Sequence, residues 1–167
     1  MIKKILIGLG AILLIIQFLH PPRNLSNDRT YDISLKYSIP PDVSQLLVDA
    51  CYNCHSNKTE YPWYSKIQPV DWWLSGHVKE GKKNLNFSNF TSRRIAIQNK
   101  KFEEIIELVK EKEMPLPSYT WFGLHPEARL TDSDRQLIIN WAGAQMDTLK
   151  AYYPADSLKM PKRQGPK

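Results

Sequence analysis

The sequence predicts an all-α fold: a helical domain around one core, preceded by an N-terminal membrane helix. Three observations carry that expectation. Apolar residues recur at three- and four-residue spacing in four separate segments. No stretch of any length alternates apolar and polar residues as a half-buried strand would. A positively charged start precedes an apolar run from Ile5 to Leu19 that only Gln17 interrupts. With 167 residues, of which 42% are hydrophobic and 11% aromatic, the chain can build one domain of ordinary size, and wholesale disorder is excluded.

Lys3 and Lys4 before the apolar run have the layout of a secretory signal, with the lysines kept on the cytoplasmic side. As a helix the run reaches only about 22 Å, short of the usual ~20-residue span. No Ala-x-Ala-like cleavage site follows in Gln17-Phe18-Leu19-His20-Pro21-Pro22, and no cysteine is there to accept a lipid. Residues 1–22 are therefore expected to be an uncleaved signal anchor crossing a bacterial inner membrane once. Met1, Ile2 and the snorkelling lysines would extend the span, and the rest of the chain would be periplasmic. Cleavage to a soluble periplasmic protein is the alternative.

Residues 23–40 are polar and end at a second Pro-Pro pair, which reads as a linker. The helical domain is expected over 41–154. Its first helix should start at Asp42, capped by that carboxylate with Gln45 at the reciprocal position, and carry Val43, Leu46, Leu47 and Ala50 toward Cys51. A second should start near Pro69, tolerated in a first turn, and end about Gly81 with Val70, Trp73, Leu74 and His77 on one face. A third holds Phe102, Ile105, Ile106 and Val109 and is stopped by Pro115. The last opens on Thr131 as cap with Asp134 three residues on, and buries Leu137, Ile138, Trp141 and Ala142. Residues 155–167 are expected to be a disordered basic tail.

The formal charge of +6 belongs to the ends. Lys3, Lys4, Lys159, Lys162, Arg163 and Lys167 carry the excess, and the residues between hold 17 basic and 17 acidic groups. A broad nucleic-acid face is excluded. The two cysteines are too few for a disulfide scaffold. They stand in Cys51-Tyr52-Asn53-Cys54-His55, the attachment signature of c-type haem. Two thiols one helical turn apart can add to the two vinyl groups on one porphyrin edge, and the next histidine can ligate the iron. Rival readings need other surroundings. A thioredoxin-like pair needs a preceding strand, a zinc site needs a fourth ligand, and a disulfide across two residues is usually reducible.

The stretch from Cys51 to Trp141 resembles the small bacterial haem-binding domain family of the c-type cytochrome class. The matching segments are Cys51-Tyr52-Asn53-Cys54-His55-Ser56, Tyr61-Pro62-Trp63-Tyr64, Pro69-Val70-Asp71-Trp72-Trp73, His77-Val78, Leu85-Asn86-Phe87-Ser88, Glu113-Met114-Pro115-Leu116-Pro117-Ser118-Tyr119 and His125-Pro126. The resemblance implies one covalent haem c, held by Cys51 and Cys54 with His55 proximal to iron, inside a class I cytochrome c-like helical fold. Met114 is then the candidate distal ligand, because a helix ending in Met-Pro before a proline-bearing loop resembles the distal segment of class I cytochromes c. His77 is the rival, since it shares a helix face with Trp73 and Leu74 and imidazole binds iron well. His125 reads as a surface or outer residue, and His20 lies beside the anchor.

Around the haem, Trp63, Trp72, Trp73 and Trp141 are candidate pocket aromatics. The carbonyl of Pro62 or Pro69 is a candidate partner for the other nitrogen of His55. Lys79, Lys82 and Lys83 could steer an acidic partner. The function expected is a membrane-tethered monohaem c-type cytochrome, passing single electrons to redox partner proteins of the periplasm or inner membrane. No small-molecule substrate is evident, so the chain reads as an electron carrier rather than an enzyme. A haem-based gas or redox sensor, or a small peroxidase-like haem protein, is the alternative.

Overall fold

A computed structural model describes residues 1–160, and among them there is no strand, only helices, turns and one isolated bridge between Leu25 and Lys58. Helix α1 runs Ile2–Ile16. Helix α2, Pro41–Leu47, continues through a π-helical turn, Val48–Tyr52, into a short α3, Asn53–His55. Helices α4 (Val70–Asn84), α5 (Ile95–Lys110) and α6 (Asp132–Tyr152) follow.

The core forms where α5 lies along α6. Phe102, Ile105 and Val109 of α5 meet Ile138, Trp141 and Ala142 of α6, with Val43 and Leu47 of α2 closing the layer. These are the apolar stripes that the spacing predicts, except that Leu137 is exposed. Phe102 sits edge-on to Tyr37 at 4.9 Å and to Trp141 at 5.7 Å. The Trp141 indole donates to the Ser38 carbonyl at 3.0 Å, so its polar edge is satisfied inside the core.

Helix ends follow local chemistry. Helix α6 opens with a capping box, Thr131 accepting from the Asp134 amide at 3.1 Å while Asp134 accepts from the Thr131 amide at 2.8 Å. The expected Asp42–Gln45 box is not made. Pro41 takes the first helical position, which moves the start one residue back, and Gln45 bonds Asp49 instead. Helix α5 stops before Pro115: Lys112 is left-handed, with φ 61°, and the amides of Glu113 and Met114 turn back onto the Leu108 carbonyl.

The N-terminal segment corrects the sequence reading. Helix α1 has 15 residues, about 22 Å at helical rise, against ~30 Å of hydrocarbon. No helix among the described residues is long and apolar enough to cross a membrane. The expected single-pass inner-membrane anchor fails on that length, and the localisation built on it falls too. Gln17 ends the helix, because its amide turns back to the Leu13 carbonyl at 2.9 Å and pairs with the Gln68 backbone, accepting its N–H at 3.0 Å. The chain then lies along the domain. The Leu19 carbonyl accepts from Gln68 at 2.6 Å and from the Trp72 indole at 2.8 Å.

The stretch 23–40, expected to be a linker, contributes core. Ile33 and Tyr37 are buried, and Asp32 caps the turn Ile33–Leu35. At the other end, Leu158 closes a 3-10 turn, Ala155–Leu158, and packs on the core, while residues 161–167 of the expected disordered tail lie outside the described residues.

Asp71 pins the N-terminal strap. Its carboxylate is fully buried and takes His20 at 2.7 Å and Arg23 at 3.2 Å. Arg23 also donates to the Ser65 carbonyl at 2.8 Å and lies over the Tyr61 ring at 4.3 Å. Removing one partner of a buried ion pair leaves charge poorly compensated. Arg23→Ala is expected to cost roughly 2–3 kcal/mol, since His20 remains. The melting temperature of the full chain should fall by about 5–10 °C, read by circular dichroism. Limited proteolysis should then begin within 17–25.

Candidate functional site

A cavity of about 520 Å³ lies between the Cys51–His55 turn, α4, the end of α5 and the loop after it. That volume lies within the ordinary range for a cofactor pocket, and the walls are mostly apolar. Cys51, Cys54 and His55 all line it, brought to one side by their three- and four-residue spacing across the turn. Both thiols are free. Burial, with the neighbouring Cys54, pushes the Cys51 thiol up to about 12, and burial pushes Cys54 up to about 11. A reactive dithiol pair works through a depressed thiol pKa. These thiols are shifted the other way, and among the described residues no strand precedes them as a thioredoxin-like pair would need. Among the described residues no group of three His, Cys, Asp or Glu is placed to hold a metal ion alone, so a zinc site lacks its ligands.

His55 Nδ1 lies 3.0 Å from the Gly81 carbonyl and 3.1 Å from that of Leu85. Both partners are acceptors, so Nδ1 carries the hydrogen and Nε2 keeps a lone pair. Burial holds the imidazole below its ordinary pKa, in the neutral form that ligates metals. The partner carbonyls are therefore not those of Pro62 or Pro69. They belong to the end of α4, where the Gly81 carbonyl also accepts the Leu85 amide at 2.9 Å.

Gly81 was legible only as a helix end, yet α4 continues to Asn84. Its role is close approach. A Cβ there would lie 2.7 Å from the Cys54 carbonyl oxygen and 3.2 Å from the Cys54 Cβ. Asn53, between the cysteines, is locked as well. Its side chain donates to the Tyr119 hydroxyl at 3.0 Å, and its carbonyl accepts from Thr59 at 2.7 Å. Asn24 of the strap donates to that same Thr59 hydroxyl at 2.8 Å and to the Ser56 carbonyl at 3.0 Å. No periodicity marks Asn24, because its role depends on where the strap folds.

Met114 and His77 line the same cavity. Arg135 of α6 holds the Met114 loop, donating from Nη1 to the Met114 carbonyl at 2.7 Å and to the Val109 carbonyl at 2.9 Å. His77 donates from Nδ1 to the Trp73 carbonyl one turn back at 2.9 Å and lies against the Trp73 ring, centroids 4.4 Å apart. Of the four candidate tryptophans only Trp73 lines the cavity; Trp141 is core, Trp63 is 72% exposed, and Trp72 holds the strap. His125 and His20 stand outside it, on Tyr64 and Asp71 respectively.

Two free thiols, a neutral histidine with its tautomer fixed, and an apolar cavity of cofactor size fit a haem. Gly81→Ala tests the geometry. The added methyl would meet backbone rather than a flexible side chain, so overpacking should cost about 1–3 kcal/mol. The expected result is a lower melting temperature and reduced haem loading, measured as haem absorbance per protein. The matched control Gly76→Ala, where a Cβ meets nothing within 4 Å, should leave loading unchanged.

No curated protein and no solved structure matches the chain. The family model described as a haem-binding domain matches residues 11–144, which takes in the strap, the cysteine pair, α4, α5 and the Met114 loop. On a match over most of its length, the chain belongs to the haem-binding domain family.

Proposed function

We propose that the chain is a monohaem c-type cytochrome that passes single electrons between redox partner proteins, with one covalent haem held through Cys51 and Cys54. The observation that carries the reading is the placement of both free thiols and the Nδ1-anchored His55 on one apolar cavity. A haem there would supply one-electron chemistry between ferrous and ferric iron. The chain's residues do the rest. Cys51 and Cys54 would hold the group, and His55 would offer Nε2 while the Gly81 and Leu85 carbonyls raise its basicity. The mostly apolar walls would give the group a low-dielectric lining.

For the sixth position we favour Met114. Its backbone is fastened to α5 through the Leu108 carbonyl and to α6 through Arg135, and Pro115 stiffens the exit. A thioether ligand favours the ferrous state and a higher potential than a second imidazole. The chain acts in this reading as a carrier rather than an enzyme.

Two measurements test it. After expression with cytochrome c maturation machinery, the denatured protein should keep its haem stain and give a c-type pyridine haemochrome. Complete loss of haem to acid–acetone rejects covalent attachment. Met114→Ala should leave that haem attached, lower the midpoint potential and admit carbon monoxide to the reduced protein, whereas His77→Ala should keep the haem and change neither the potential nor the carbon monoxide response. The reverse pattern assigns the sixth position to His77. Ready carbon monoxide binding by the unaltered protein would favour the gas-sensing alternative over a carrier.

A further inference from the structure

One cluster of titratable side chains lies outside the cavity but against its wall. The His125 imidazole stacks face to face on Tyr119, with ring centroids 4.0 Å apart and planes 9° off parallel. Tyr119 lines the cavity, and its hydroxyl accepts from Asn53, the residue just before Cys54. His125 is thus one aromatic ring away from the cavity.

Both its ring nitrogens are engaged. Nδ1 lies 3.0 Å from the Glu127 carboxylate and Nε2 lies 2.7 Å from the Tyr64 hydroxyl. A carboxylate only accepts, so Nδ1 donates, and in the neutral ring Nε2 accepts from the Tyr64 O–H. When Nε2 takes a proton it donates to the Tyr64 oxygen instead, and the hydroxyl hydrogen turns outward. The ring changes charge without losing either partner. Its side chain is 14% exposed and that of Glu127 48%, so the ring is shielded while its carboxylate reaches solvent. The backbone at His125 is left-handed, with φ 45° and ψ 56°, a conformation uncommon for a side chain of this size.

We propose that His125 is the proton acceptor coupled to electron transfer: each electron received at the haem site is accompanied by uptake of one proton at His125 Nε2. The inference rests on the one-electron reading above. The electron comes from a one-electron donor protein and the proton from water. One N–H bond forms on Nε2, one water O–H bond breaks, and the charge of the domain is unchanged. A negative increment in a low-dielectric cavity strengthens proton binding at a nearby imidazole, and the Glu127 carboxylate stabilises the imidazolium.

The other groups facing the ring do not compete for that proton. Burial holds Tyr119 up at about 12 and pushes the Tyr64 phenol up as well, so both stay neutral. Hydrogen bonding from its own amide and from His125 holds Glu127 below the usual carboxylate range. Arg129 is engaged by the Thr120 carbonyl at 2.9 Å, Lys66 on the Tyr64 turn is exposed, and Lys58 and Glu60 line the surface recess that Glu127 also lines.

The test is the midpoint potential of the haem-loaded full chain, measured from about pH 5 to pH 9. For the unaltered protein the potential should fall with rising pH through one window. A tenfold change in proton affinity between redox states corresponds to 59 mV across it. In His125→Gln that window should be flat while the absorption spectrum is unchanged. Glu127→Gln should move the window to lower pH, because the imidazolium loses its counter-charge. Proton NMR of the His125 ring should give a higher pKa in the ferrous than in the ferric protein. A flat curve in the unaltered protein, or an unaltered curve in His125→Gln, overturns the inference. Either result, with a c-type pyridine haemochrome intact, leaves the cytochrome reading standing; absence of any reversible one-electron couple removes both.

Discussion

The contact between His55 and the carboxyl end of α4 sets the geometry of the haem site. The one Nδ1 hydrogen is shared between the carbonyl of Gly81, which also accepts the Leu85 amide, and that of Leu85, just past the last residue of α4. That contact fixes the tautomer, orients the ring and gives the Leu85 carbonyl a donor. It exists only because α4 crosses the Cys51–His55 turn at a glycine, where any side chain would run into the Cys54 carbonyl. The distance between α3 and α4, and with it one wall of the cavity, follows from that missing Cβ.

The same turn is braced from outside by a segment far away in sequence. Asn24 reaches Ser56 and Thr59, Thr59 reaches the Asn53 carbonyl, and Lys82 of α4 donates to Asn24 at 2.6 Å. The strap is itself anchored at Asp71, a buried carboxylate on the first turn of α4. The elements that hold the cysteine pair therefore depend on residues 17–25 as much as on their immediate neighbours. The family match, residues 11–144, takes in that segment as well.

The division between what the sequence revealed and what it hid follows the range of the forces. The stripes of α5 and α6 and the Thr131 capping box are short-range patterns, and the structure contains them. That Cys51, Cys54 and His55 share one cavity wall was legible, because their three- and four-residue spacing puts them on one side of a helical turn. The partner of His55 was not, because it is a backbone group 26 residues away, and backbone groups leave no mark in side-chain composition. The apolar run at the start was misread as a membrane span. Its composition is right, but its length depends on one polar residue, Gln17, that ends the helix by bonding to Gln68. The polar stretch 23–40 looked like a linker because its buried residues, Asp32, Ile33 and Tyr37, are few and follow no helical period.

Both candidate iron-facing segments turn out to be fastened by the same device. On one side, the carbonyls of Gly81 and Leu85 at the end of α4 take the His55 ring. On the other, the end of α5 gives the Val109 carbonyl to Arg135, and the same guanidinium nitrogen takes the Met114 carbonyl. A cation at a helix carboxyl terminus is favoured by the helix dipole, so Arg135 gains there while tying the loop to α6. The two fastenings differ in what they constrain. His55 is held by its ring, which fixes the direction of its lone pair. Met114 is held by its backbone, which leaves its thioether free to settle against whatever fills the cavity.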